Sequence, residues 1–227
     1  IATGSSDETL TYQFSEDLIA NYPNNSEISL TVYCKTIETG SESSTTVYLR
    51  VPESYIPSIS VTTNDTNSIC KDWGIYVKSK SILEVAITSD GISGSTITNY
   101  SSSIGDYNSS LAAFTTTPLN PAISIGDTAT MTLTSTVTDS RSRTNSFSKD
   151  LIVHNYFAPT IVKCELKRCD ADGSLNNTGT YAKVICNYRI ASCDNKNAKS
   201  LSVTYGATTK TFTLTNTGSE KLFVDIS

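Results

Sequence analysis

The chain contains one histidine, His154, in the stretch Ile152-Val153-His154-Asn155-Tyr156. A catalytic triad needs a base within reach of a nucleophile, with a carboxylate to orient the base. No G-x-S-x-G elbow accompanies His154, and it reads as a strand-end or hinge residue. A single histidine also leaves little for a histidine-based metal site. Asp170-Ala171-Asp172-Gly173 has the look of the start of a calcium loop. An EF-hand requires a glutamate at its twelfth position, where this sequence has Tyr181, so a hairpin loop is the better reading. Asp90, Asp106, Asp127 and Asp139 sit among turn formers, where aspartate serves the backbone. They are not read as a facing pair for glycoside hydrolysis. No catalytic, cofactor-binding or metal-binding residue is assigned. Tyr100 and Tyr107, around Asn99-Tyr100-Ser101-Ser102-Ser103-Ile104-Gly105-Asp106-Tyr107, read as turn aromatics and are the candidate contacts for a glycan.

The six cysteines lie at 34, 70, 164, 169, 186 and 193. The last four follow C-x4-C-x16-C-x6-C, without the tight C-x2-C pairs of a zinc ribbon. Buried thiols are the default expectation; a disulfide such as Cys164–Cys186 or Cys169–Cys193 is the alternative. Five Asn-x-Ser/Thr sequons, at Asn24, Asn64, Asn99, Asn108 and Asn176, are expected by chance in a chain with 34 Ser and 34 Thr.

These residues must be positioned by strands. From Thr128 to Thr138 threonine occupies every second position. Ala129, Met131, Leu133, Ser135 and Val137 fall on the other face. Period two marks a strand with one dry and one wet side, and β-branched threonine suits a pleat while staying polar. After the turn from Asp139 to Thr144, alternation resumes with Phe147, Leu151 and Val153, making a long hairpin. An earlier hairpin has the same layout, with Ile28, Leu30, Val32 and Cys34 on one phase. Pro57-Ser58-Ile59 follows the first hairpin and Pro159-Thr160-Ile161 the second, 102 residues apart. This is an internal repeat of about one hundred residues, opened by an aromatic-then-proline hinge that stiffens the junction.

The repeat divides the chain into 1–53, the closing part of one β-sandwich; 54–157, a complete immunoglobulin-like sandwich; and 158–227, a sandwich incomplete at its end. Either the protein extends at both ends or neighbouring chains complete the halves, since a sheet cut open exposes its edges. The expected fold class is all-β, tandem immunoglobulin-like β-sandwich domains, with no convincing amphipathic helix and with Trp73 or Tyr76 as a core aromatic. Net charge is −5 overall, and −5, −3 and +3 across residues 1–52, 53–156 and 157–227. No dense basic stripe points to nucleic acid, and no apolar run is long enough to span a membrane.

The stretch from Trp73 to Ile87, the Gly94-Ser95-Thr96-Ile97 cluster with Tyr100, the turn Thr136 to Ser146 and the hinge Tyr156-Phe157-Ala158-Pro159-Thr160-Ile161 carry a resemblance. Arg168, Asp172-Gly173, Gly179-Thr180-Tyr181 and Asn195-Lys196-Asn197 extend it. Over about 55–205 the chain resembles the immunoglobulin-like tail structural proteins of tailed bacteriophages of Gram-positive hosts. That family's turn commonly reads D-S-R-G-R-T; here Ser142 replaces the glycine, a strained choice if the position needs positive φ. The resemblance implies a virion protein of tail tip, baseplate or fibre: a rod of modules for host attachment, non-enzymatic and without cofactors. Implied partners are other tail proteins, copies of the chain itself as a trimer or hexamer, and a host cell-surface glycan or protein, with no nucleic acid and no membrane insertion. It would be assembled in the bacterial cytoplasm and extracellular when mature. The alternatives are a bacterial surface adhesin of similar repeats and a non-catalytic appendage of a larger hydrolase.

Overall fold

The computed structural model describes residues 11–13, 17–124, 127–214 and 220–225. The polar opening stretch 1–10 and positions 125–126, within the sequence turn signal 120–127, lie outside the described residues. The fold is nearly all-β. Its strands are β1 (Glu27–Lys35), β2 (Glu42–Arg50), β3 (Ser60–Asp65), β4 (Tyr76–Val77), β5 (Leu83–Thr88), β6 (Ile97–Ile104), β7 (Tyr107–Ser109), β8 (Ala113–Thr115), β9 (Thr128–Asp139), β10 (Thr144–His154), β11 (Thr160–Cys169), β12 (Tyr181–Arg189), β13 (Lys199–Tyr205), β14 (Thr208–Leu214) and β15 (Glu220–Asp225). Among the described residues they form five small sheets, ordered β1-β2, β4-β10-β9-β6-β7, β3-β5-β8, β11-β12-β15 and β13-β14.

Among the described residues one helix, α1 (Ser68–Trp73), corrects the strand-only expectation. The Asn67 side chain accepts the N–H groups of Ile69 and Cys70, and Gly74 closes the helix at φ 70°. An asparagine N-cap and a left-handed glycine are the ordinary stop signals of a helix, and they override the apparent alternation around Trp73. Trp73 and Tyr76 are both half-buried; Trp73 packs on a cluster of Cys70, Val77, Ala191 and Cys193.

Two compact units are assembled from separated stretches: 1–62, 86–114 and 133–149 in one, and 63–85, 115–132 and 150–227 in the other. In the first unit β1 and β2 form an antiparallel hairpin with Ile28 opposite Leu49 and Leu30 opposite Val47. β6 runs antiparallel to β9, placing Ile104 opposite Leu133 and Ser102 opposite Ser135. Leu133, Ser135 and Val137 are fully buried, the face that period two assigns to the interior. The two serines are satisfied by each other, Ser102 Oγ donating to Ser135 Oγ at 2.9 Å, so a polar pair sits in the core without an orphaned hydroxyl.

In the second unit Leu83, Val85, Leu151 and Val153 have at most 1% of their surface exposed. β11 and β12 pair antiparallel with Cys164 directly opposite Cys186, and these two form a disulfide. That settles the open choice for this pair and corrects the default of thiols. Cys70, Cys169 and Cys193 are buried as expected, whereas Cys34 is exposed. The β1-β2 hairpin explains the exception: most of its residues are exposed, Val32 at 52%.

Candidate functional site

Among the described residues, the turn from Asp139 to Thr144 is a densely bonded polar site. Asp139, 1% exposed, uses Oδ1 to accept the backbone N–H groups of Arg141 and Arg143. The backbone closes beneath them, Ser142 N donating to Asp139 O. Ser142 has φ 63°, the left-handed conformation in which glycine carries no penalty. The carboxylate-pinned turn sends its two guanidinium groups in different directions.

Arg141 is 5% exposed. Its Nη1 donates to Ile92 O at 2.8 Å, and its Nη2 donates to Ser93 O, Ile19 O and Tyr22 O at 2.6, 2.9 and 3.4 Å. Ser140 Oγ donates to Pro23 O at 2.6 Å. Residues 17–25 are thereby tied to the loop that carries Ile92 and Ser93. Gly94 makes the approach possible: at φ +81° it lies where an added Cβ would sit 2.5 Å from Ala20 O. Arg143 faces the hinge. Its Nη1 donates to Pro52 O and Tyr55 O, its Nη2 to Val51 O, and Asn145 Nδ2 reaches Pro57 O. A planar fork of five donors suits a spread of carbonyls better than an ammonium does. The arrangement has no reacting atom; its chemistry is the fixing of backbone. Spacing and type did not single out these arginines as functional. The available signal was that two of the chain's five arginines fall in one short turn.

His154 ends β10 and lines a cleft of about 340 Å³ with Asp127, Asn155, Ser192, Cys193 and Asp194 among its walls. A base, two possible nucleophiles and two acids therefore share one cavity, which the sequence alone did not bring together. Among the described residues the imidazole makes no hydrogen bond to any of them. Ser192 Oγ accepts Asn195 N–H, and Cys193 Sγ faces Asn155 O at 3.9 Å. Burial, and then the neighbouring Cys70, push the Cys193 thiol pKa up, so it is held protonated rather than as the reactive thiolate.

Tyr100 and Tyr107 occupy strands, not turns. Tyr100 lies in β6 opposite Val137 and its hydroxyl accepts from Ser89 Oγ at 3.2 Å. Tyr107 opens β7 and stacks on Phe114 with ring centroids 5.8 Å apart. Both are half-buried. Asp170-Ala171-Asp172-Gly173 forms the loop between β11 and β12. Asp172 accepts the N–H and hydroxyl of Ser174, and Asp170 accepts from Asn176. Among the described residues no group of three or more His, Cys, Asp or Glu is placed to hold a metal ion, and no helix is long and apolar enough to cross a membrane.

Fold and site together define a nearly all-β protein of small sheets, with a turn whose arginines fasten neighbouring backbone. The model of the family described as "Siphovirus protein of unknown function (DUF859)" matches residues 1–227. The chain belongs to that siphovirus family. No curated protein matches it, and no solved structure does.

Proposed function

We propose that this chain is a structural component of a siphovirus tail, at the tip, baseplate or fibre, where tandem immunoglobulin-like modules carry host attachment without catalysis. The observation that carries this reading is Arg143 clasping the carbonyls of Val51, Pro52 and Tyr55 just before Pro57. A protein that transmits load benefits from junctions whose backbone is bonded rather than free, and proline removes further freedom at the same place. The repeat at Pro159 supports a string of such junctions. Family membership supports the phage setting. Association of copies around a threefold or sixfold tail axis is the expected assembly, with other tail proteins as neighbours and a cell-surface glycan or protein as the external partner.

Adsorption competition tests the attachment role. Purified chain, added to host cells before phage, is expected to lower the adsorption rate in a dose-dependent way. Unchanged adsorption at saturating chain, with intact fold, contradicts that role.

A further inference from the structure

The cleft beside His154 combines fixed walls with unengaged side chains. Asn155 N donates to Asp127 O at 2.7 Å, Lys196 N to Cys193 O at 3.0 Å, and Asn197 Nδ2 to Ala191 O at 2.9 Å. Cys193, Asp194 and Asn195 form a run of three left-handed non-glycine residues, at φ 49°, 55° and 60°. Such conformations persist where the surroundings hold them, and they concentrate at ligand sites. Against this pinned backbone, the side chains of Asp127, His154, Asn155, Asp194 and Asn195 have no hydrogen bond or ion pair to protein among the described residues. They offer carboxylate, carboxamide and imidazole groups around one cavity. Phe157 and the buried Ala191 and Cys193 supply an apolar part of the wall.

We propose that this cleft binds a neutral saccharide. Carboxylates and carboxamides pair with vicinal hydroxyls, which donate and accept at once. A small apolar patch takes the C–H face of a sugar ring. The wall includes two carboxylates and no Lys or Arg; Arg189 lies outside it, over the Phe157 ring at 5.3 Å, so the charges on the wall itself disfavour phosphate-bearing or otherwise anionic polymers. A volume of about 340 Å³ is at the small end for ligand pockets and suits a short saccharide end. The inference deepens the attachment role and rests on it only for the source of the sugar.

His154 is the chain's one histidine, so its ring C–H signals in proton NMR report the cleft without ambiguity. The whole chain is titrated with a panel of neutral hexose and N-acetylhexosamine di- and trisaccharides, and separately with Ca²⁺. At least one saccharide is expected to shift the His154 signals. The Asp194→Ala/Asn195→Ala double variant, altered only at exposed loop positions, is expected to bind it at least about tenfold more weakly. Tyr100→Ala/Tyr107→Ala is expected to bind normally. Absence of any saccharide shift overturns the proposal. So does a shift seen with Ca²⁺ alone and reversed by chelator, or binding lost in the tyrosine variant and kept in the loop variant. A chain that competes for adsorption but gives no ring shift removes this site and leaves the attachment role. One that gives the shift but does not compete keeps the site and removes the role.

Discussion

Asp139 Oδ1 accepts the backbone N–H of Arg141 and of Arg143, each at 2.9 Å, so one carboxylate oxygen aims both guanidinium groups. Asp139→Ala removes an anchor that is itself buried and leaves two N–H groups without it. Loss of about 2–4 kcal/mol of unfolding free energy is expected. Asp139→Asn keeps an acceptor oxygen and is expected to lose less. Urea denaturation distinguishes the two; equal losses would show that the oxygen is not the anchor.

Arg141 and Arg143 hold different strands of backbone, and their variants separate accordingly. Arg141→Ala is expected to open residues 17–25 to limited proteolysis. It leaves the carbonyls of Ile19, Tyr22, Ile92 and Ser93 without their donor, at a cost of about 3 kcal/mol. Arg143→Ala is expected to raise amide exchange across 51–57 with little effect on 17–25. Arg143→Lys restores the charge without the fork and is expected to rescue only part.

Ser142 at φ 63° predicts a stabilising substitution. Ser142→Gly is expected to raise stability by about 1 kcal/mol, since the left-handed backbone costs an L-residue about that much. A thermal melt measures it. No gain would mean that the added freedom of glycine in the unfolded chain offsets the relief.

Asp172 carries a pH signature. The N–H and then the hydroxyl of Ser174 hold its carboxyl below the ordinary value of 3.8. A depressed folded pKa favours the folded state above the ordinary value, and that contribution is lost as pH falls through the folded pKa. Asp172→Asn is therefore expected to flatten the acid limb of the stability curve below about pH 4 and to lower stability at neutral pH by the same small contribution, with no difference from the parent at the acid end. An unaltered acid limb would contradict the assignment.

The cysteines divide by labelling. Cys34 is exposed and is expected to take up maleimide in the folded protein. Cys70 and Cys193 are buried, with burial the first cause of their raised pKa, and are expected to react only on unfolding. The Cys164–Cys186 bridge closes a separation of 22 residues; replacing both by alanine is expected to cost about 3 kcal/mol on the loop-entropy estimate. Peptide mapping without reductant checks the pairing.

The dry face of β9 was legible because Leu133 and Val137 alternate with threonines, and period two leaves little choice of face. Both long hairpins were legible for the same reason; at Ser142 a resemblance raised positive φ only as a condition beside a different turn geometry, and the structure has φ 63° there. The helix Ser68–Trp73 was not: at six residues it is too short for a 3.6 period, and only the Asn67 and Gly74 caps announce it. The β7 strand, Tyr107–Ser109, was hidden in a stretch rich in Ser and Asn. The clasp was hidden for a different reason. Arg141 meets Ile19 and Tyr22, about 120 positions away, and its partners are carbonyls, which every residue possesses. The cleft likewise joins Asp127 and His154 to Asp194 through tertiary placement that no local spacing encodes.

Fractionation of purified virions into heads and tails, followed by peptide mass spectrometry, tests the central claim most directly. Peptides of this chain are expected in the tail fraction at a fixed copy number per particle. Their absence from purified tails, with the chain recovered only from the unassembled lysate, would contradict a structural role in the tail.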